Sequence, residues 1–190
     1  PSLFTIKPEA IENNIRMVVK NFETEGLSIK DYVQASIKSP SLFYANPETI
    51  IQNVNNFVNR FEKEGITTKD FLNIGKKCPQ LFYQKSETLE RNILETVKQF
   101  ESEGLNVKDY LKACFKQANL LTFSADRIKS NVYSFAERFK QEGITPQIYF
   151  KACLKTPSLF CSKPETIENN VRDVAKRFEQ EGLTAKDYVI

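Results

Sequence analysis

The chain has no histidine and no tryptophan, and only one methionine, six glycines and four cysteines among 190 residues. Each scarcity excludes something. Without histidine there is no Ser-His-Asp or Cys-His catalysis, no histidine-ligated zinc, and no usual general base near neutral pH. The cysteines, Cys78, Cys114, Cys153 and Cys161, form no C-x-x-C pair and are too sparse for a disulfide scaffold. They read as reduced, buried, small apolar residues in a reducing, intracellular compartment, with no metal site. No run approaches the roughly 18 apolar residues of a membrane span, so no membrane partner is expected. No strand pattern occurs, and the opening Pro1-Ser2-Leu3-Phe4 is not a signal or transit sequence. The missing initiator methionine points to a piece excised from a longer protein. A net charge of +3 neither requires nor forbids a nucleic-acid partner.

What is present is a repeat. Gly26, Gly65, Gly104, Gly143 and Gly182 recur every 39 residues. So do Phe22, Phe61, Phe100, Phe139 and Phe178, and so do Asn14, Asn53, Asn92, Asn131 and Asn170. The units open on PSLF, PSLF, PQLF, ANLL and PSLF. Four full units occupy 1–39, 40–78, 79–117 and 118–156, and a fifth, truncated one occupies 157–190. No insertion interrupts them, so a regular stack is expected.

One unit predicts two helices. Pro8 suits a first helical position and Glu9 the positive helix N-terminus. Ile11, Ile15, Val18, Val19 and Phe22 then form an amphipathic stripe, which Gly26 ends, giving a first helix over about 8–25. Ser28 caps a second helix, with Asp31 completing a capping box and Leu27 and Tyr32 a hydrophobic staple. Thr67, Asn106, Thr145 and Thr184 repeat the cap. The second helix runs to about Lys38, where Pro40 breaks it and Ser41-Leu42-Phe43 forms a 3₁₀-like turn. Such a hairpin cannot bury its apolar face alone. The expected fold is therefore all-α: an α-solenoid of five 39-residue helix-turn-helix repeats, each with a short P-x-L-F turn plugging the seam between hairpins.

Three sets of polar residues follow the period. Asn14 and its equivalents lie between apolar turns and must be hydrogen-bonded, which predicts an asparagine ladder from each hairpin to its neighbour's loop. Lys38, Lys77, Lys116 and Lys155 form a basic column, and Lys30, Lys69, Lys108 and Lys186 a second, broken by Gln147. These eight lysines are candidate phosphate contacts. Positions that vary between units are candidate readers of a partner. On the polar side of the first helix they are Asn13, Gln52, Arg91, Ser130 and Asn169. One turn on they are Arg16, Asn55, Tyr133 and Arg172. Asn, Gln, Arg and Ser can hydrogen-bond base edges. Restraint comes from charge, since the units carry 0, +1, 0, +3 and −1, and Glu25, Glu64, Glu103, Glu142 and Glu181 form an acidic column.

A P-x-L-F or P-x-L-L turn, an amphipathic helix, then Gly-Leu or Gly-Ile and a capped short helix resembles the repeat of mitochondrial transcription termination factors. The segment PSLFYANPETIIQNVNNFVNRFEKEGITTKDFLNIGKKC at 40–78 carries the resemblance, which recurs along the chain. It implies an α-solenoid and members that bind double-stranded DNA or organellar RNA. The period here is somewhat longer than usual in that family. The near-identity of the units is similar to the modular repeats of transcription-activator-like effectors, but no residue motif of theirs is present and no base code carries over. No glycine-rich phosphate loop or separate carboxylate pair occurs, so the chain reads as no enzyme, with no cofactor. Nucleic acid, DNA or RNA, is the favoured partner, with a protein-interaction scaffold as the alternative. Uncapped ends predict end-to-end self-association.

Overall fold

The computed structural model describes residues 6–189, so the first P-S-L-F turn, Thr5 and Ile190 lie outside the described residues. The chain is all-α in the described residues. Long helices α1 (Pro8–Phe22), α3 (Pro47–Phe61), α5 (Ser86–Gln99), α7 (Ala125–Arg138) and α9 (Pro164–Arg177) alternate with short ones. The short helices are α2 (Ile29–Lys38), α4 (Thr68–Lys77), α6 (Val107–Lys116), α8 (Pro146–Lys155) and α10 (Ala185–Val189). Contacts divide the chain into two compact bodies, residues 1–91 and 92–190. Within the first, α1 packs on α3 and α2 on α4; within the second, α6 packs on α8 and α7 on α9. Hairpin packed on like hairpin is the local arrangement of an α-solenoid.

The long helices end before the position equivalent to the expected 25, α1 and α3 by three residues and α5, α7 and α9 by four. The cause is a Schellman closure. Leu27 N–H donates to Phe22 O at 3.1 Å and Gly26 N–H to Glu23 O at 3.1 Å, so the last turn tightens. In the second repeat this turn is a 3₁₀ segment over Glu62–Glu64. The closure needs a left-handed residue, and Gly26 and Gly65 hold φ 90° and 87°.

The short helices start as their sequences dictate. Ser28 and Thr67 form reciprocal capping boxes with Asp31 and Asp70. Thr145 accepts from Ile148 N–H, and Pro146 takes the first helical position. Each of α2, α4 and α8 then breaks into a 3₁₀ turn, Pro40–Phe43, Pro79–Phe82 and Pro157–Cys161. Leu42, Leu81, Leu120, Phe82, Leu121 and Phe160 are fully buried. Phe43 and Leu159 are half-buried.

The same aromatic cluster forms the core of each body. In the first, the Phe57 ring lies 5.0 Å from Phe61 and 4.8 Å from Phe71. In the second, Phe135 lies 4.7 Å from Phe139 and 3.8 Å from Tyr149. Burying one such ring stabilises the fold by about 1.5–3 kcal/mol.

Candidate nucleic-acid interface

The second helices carry both lysine columns. Lys38, Lys77, Lys116 and Lys155 are the last residues of α2, α4, α6 and α8, and all four are exposed. A cation there complements the negative helix end. Lys30, Lys69, Lys108 and Lys186 are the second residues of α2, α4, α6 and α10 and are also exposed. They sit at the positive helix end, which favours anions. The neighbouring capping aspartate offsets part of that cost, and hydrogen bonding from Ser28 holds the Asp31 carboxyl below the usual range. Asp109 is lowered by its bonds to Lys112 and Asn106.

On the first helices, Asn13, Gln52, Arg91, Ser130 and Asn169 are exposed, as are Arg16, Asn55, Tyr133 and Arg172. Two of these are engaged with the preceding hairpin. The Arg172 guanidinium donates to Glu142 Oε1 at 2.8 Å, to Arg138 O at 3.0 Å and to Glu168 Oε1 at 3.0 Å. It also lies 4.6 Å above the Phe139 ring. Its acidity falls further, chiefly through the bond to Glu168 and then that to Glu142. Tyr133 aims its hydroxyl at Glu103 Oε1, 3.5 Å away, and its ring lies 6.4 Å from Phe100. Desolvation, then the Glu103 charge, raises its pKa. Among the described residues Arg16 pairs within its own helix, with Glu12 at 2.8 Å.

Further ion pairs join neighbouring hairpins. Arg138 reaches Glu168 at 2.6 Å and also contacts Glu165. Arg60 contacts Glu90 thirty residues on. In the first body Lys76 Nζ lies 3.3 Å from both Asp31 Oδ2 and Gly26 O. The Glu168 carboxyl is held low by Arg138 first and Arg172 second. Sequence reasoning missed this clasp. Its signal is present: acidic residues recur at Glu9, Glu48, Glu87, Asp126 and Glu165, and cations stand at Arg60 and Arg138, of which Arg138 meets Glu165 of the next unit and Arg60 meets Glu90.

The asparagines divide. Asn92 Nδ2 donates to Leu121 O at 3.1 Å, and Asn131 Nδ2 to Phe160 O at 2.9 Å. Asn53 Nδ2 is buried without a partner, Asn14 is half-buried and Asn170 is exposed. A cleft of about 490 Å³ brings Asn170 and Lys155 together with Thr156, Ser162 and Tyr188.

Cys78, Cys114 and Cys153 are buried free thiols and Cys161 is half-buried. Burial pushes the Cys114 and Cys153 thiols well up, opposite to the shift of a reactive cysteine. Among the described residues no group of Cys, Asp and Glu could hold a metal ion, and no helix is long and apolar enough to cross a membrane.

No curated protein matches the chain closely enough to name as a relative. A sequence model of the mTERF family matches residues 2–143, most of the chain and the part that carries the first three full repeats, and the chain belongs to that family.

Proposed function

We propose that the chain is a non-enzymatic α-solenoid of five 39-residue repeats that binds nucleic acid through its lysine columns. The observation that carries the reading is an exposed lysine closing α2, α4, α6 and α8, joined by a second in the first turn of α2, α4, α6 and α10. A first-turn lysine opposes the helix dipole by about 0.3–1 kcal/mol, and its recurrence in four of five units calls for a compensating role. An anionic partner supplies one. Membership of the mTERF family supports the same reading, since its members bind duplex DNA or organellar RNA.

Phosphate contacts position such a partner, and base contacts specify it. Readout falls to the exposed Asn13, Gln52, Asn55, Arg91, Ser130 and Asn169, because Arg172 and Tyr133 are held by the neighbouring hairpin. Among the described residues Arg16 is held by an exposed pair within its helix, worth about 0.3–0.5 kcal/mol, and stays available.

The test is a binding titration against duplex DNA, single-stranded DNA and RNA at several salt concentrations. Replacing Lys77 and Lys116 together by Ala lowers the duplex salt slope by about 2, near 0.9 per lost contact. Both side chains are exposed, so helicity is unchanged. No binding at low salt, or affinity insensitive to salt, overturns the reading. A protein-interaction scaffold is the second reading, favoured by Tyr44 and Tyr83, exposed on the loops before α3 and α5. A partner captured after nuclease treatment, and lost on Tyr44→Ser with Tyr83→Ser, would support that reading instead.

A further inference from the structure

Between the two lysine columns lies a middle position on each short helix. It is Gln34 on α2, Asn73 on α4, Lys112 on α6 and Lys151 on α8, and all four are exposed. The fifth equivalent, Ile190, lies outside the described residues. On α2, α4 and α6 a lysine stands four residues before this position and another four residues after it. On α8 Gln147 takes the earlier place and Lys155 the later. Residues four apart share one helix face, about 6 Å apart along the axis. The opposite face is in the core, where Tyr32, Phe71, Tyr110 and Tyr149 are fully buried. Each short helix thus presents a line of three polar side chains outward.

Helix stability alone asks for something else in the middle. A glutamate four residues from a lysine on either side would stabilise the helix through two ion pairs. None of the four repeats places an acid there. The third repeat places a further lysine instead, and like charges four residues apart destabilise a helix. Lys112 Nζ relieves part of this by reaching Asp109 Oδ1 at 2.8 Å, but both groups are exposed, and such a pair yields readily to a stronger partner. Gln, Asn and Lys share one property that Glu lacks: each donates hydrogen bonds. In contrast, position 37 of the same helices runs through Ile37, Lys76, Phe115 and Leu154.

We propose that Gln34, Asn73, Lys112 and Lys151 are a base-reading column, one side chain per repeat, held over the bases by the lysines beside them. This rests on the nucleic-acid reading and deepens it. A strand whose phosphates meet the lysines at both ends of a short helix crosses the middle of that helix. The middle positions share an element with those lysines, whereas Asn13, Gln52 and their equivalents lie on the long helices. An amide both donates and accepts, which matches N6 and N7 of adenine, and an ammonium donates to O6 and N7 of guanine. Gln34 and Asn73 in the first body therefore favour adenine, and Lys112 and Lys151 in the second favour guanine. These edges are open in the DNA major groove and on unstacked single strands, and closed in the deep major groove of duplex RNA. The partner class is duplex DNA or single-stranded RNA.

The experiment is selection from randomised pools of duplex DNA, single-stranded RNA and duplex RNA, followed by salt titration on the enriched sequences. The wild type is compared with Asn73→Lys, Lys112→Gln and Lys77→Ala, all exposed positions whose helicity circular dichroism checks. Asn73→Lys is expected to change one position of the enriched sequence from adenine to guanine, and Lys112→Gln another from guanine to adenine. Each change shifts relative affinity by about tenfold or more. Lys77→Ala weakens all sequences alike and lowers the duplex salt slope by about 0.9 with no change of preference. If Asn73→Lys raises the slope by a similar amount and leaves every preference in place, the middle position meets phosphate and the proposal is overturned. Binding confined to duplex RNA overturns it too. Salt-dependent binding with no base preference overturns the column and leaves the nucleic-acid reading standing, whereas no binding at low salt overturns both.

Discussion

Gly75 is the sixth glycine, and it is not a turn residue. It lies inside α4 with its backbone helical, and a Cβ placed there meets Phe82 Cζ at 2.6 Å. At the same position the other repeats carry Ser36, Cys114 and Cys153, all buried. The second repeat has given up that side chain, and the Phe82 ring fills the space, edge-on to Tyr32 at 5.9 Å. Alanine raises helix propensity by about 1 kcal/mol over glycine, yet overpacking costs about 1–3 kcal/mol. Because Phe82 is fully buried and part of a packed turn, the clash dominates. Gly75→Ala is expected to lower stability by about 1 kcal/mol net, read as a reduced urea midpoint at unchanged slope. An unchanged or higher midpoint would show that Phe82 moves aside freely. Nothing in the sequence announced this fit, because it compensates between Gly75 of the second repeat and Phe82 in the turn that opens the third. The asparagines show the same limit. All five occupy one register, which sequence makes plain, but only the local backbone decides that Asn92 and Asn131 reach a carbonyl while Asn53 Nδ2 does not.

At the scale of the element, the short helices depend on their first turns. Ten residues are too few for a stable isolated helix, so caps and packing must hold them. A capping side chain is worth about 1 kcal/mol. The carboxylates of Asp31 and Asp109 are held below the ordinary aspartate range by hydrogen bonds that favour the charged form. A depressed folded-state pKa contributes stability above the unfolded value of about 3.9 and loses it as pH falls through the folded one. The melting temperature is therefore expected to drop as pH is lowered from about 5 to about 3. Asp31→Asn with Asp109→Asn should flatten that acid limb while costing some stability at neutral pH. An acid limb identical to the wild type's would mean that other carboxylates govern it. These elements were legible because their signals are local: cap, proline, apolar stripe and glycine. The end of the long helix was misjudged by three or four residues because the Schellman closure draws Glu23 to Glu25 and their equivalents into a tighter turn that periodicity alone does not distinguish. The clasp between hairpins was less legible. Arg172 looked like a free reader of a partner, and only the packing of α9 on α7 brings it to Glu142, thirty residues away in sequence.

At the scale of the molecule, stability in a repeat stack is a sum of hairpins and the interfaces between neighbours. A hairpin covered on one side only has fewer such terms. The first hairpin still buries Ile15, Val18, Val19, Phe22 and Tyr32. The last one buries less: Pro164, Ile167 and Val171 in α9, and no residue in α10. Its Phe178 lies open where Phe22, Phe61, Phe100 and Phe139 are fully enclosed. Local opening free energy follows buried apolar contact, so the amides of α9 and α10 should exchange with solvent faster than those of α7 and α8. The expected gap is at least about tenfold in protection, equivalent to about 1.4 kcal/mol, measured by native-state hydrogen exchange on dilute protein. Within the second body the order of protection should run α7 and α8 above α9, and α9 above α10. Uniform protection through all four helices would show that this body opens as one cooperative unit, so that the exposed Phe178 and Tyr188 do not set where it frays.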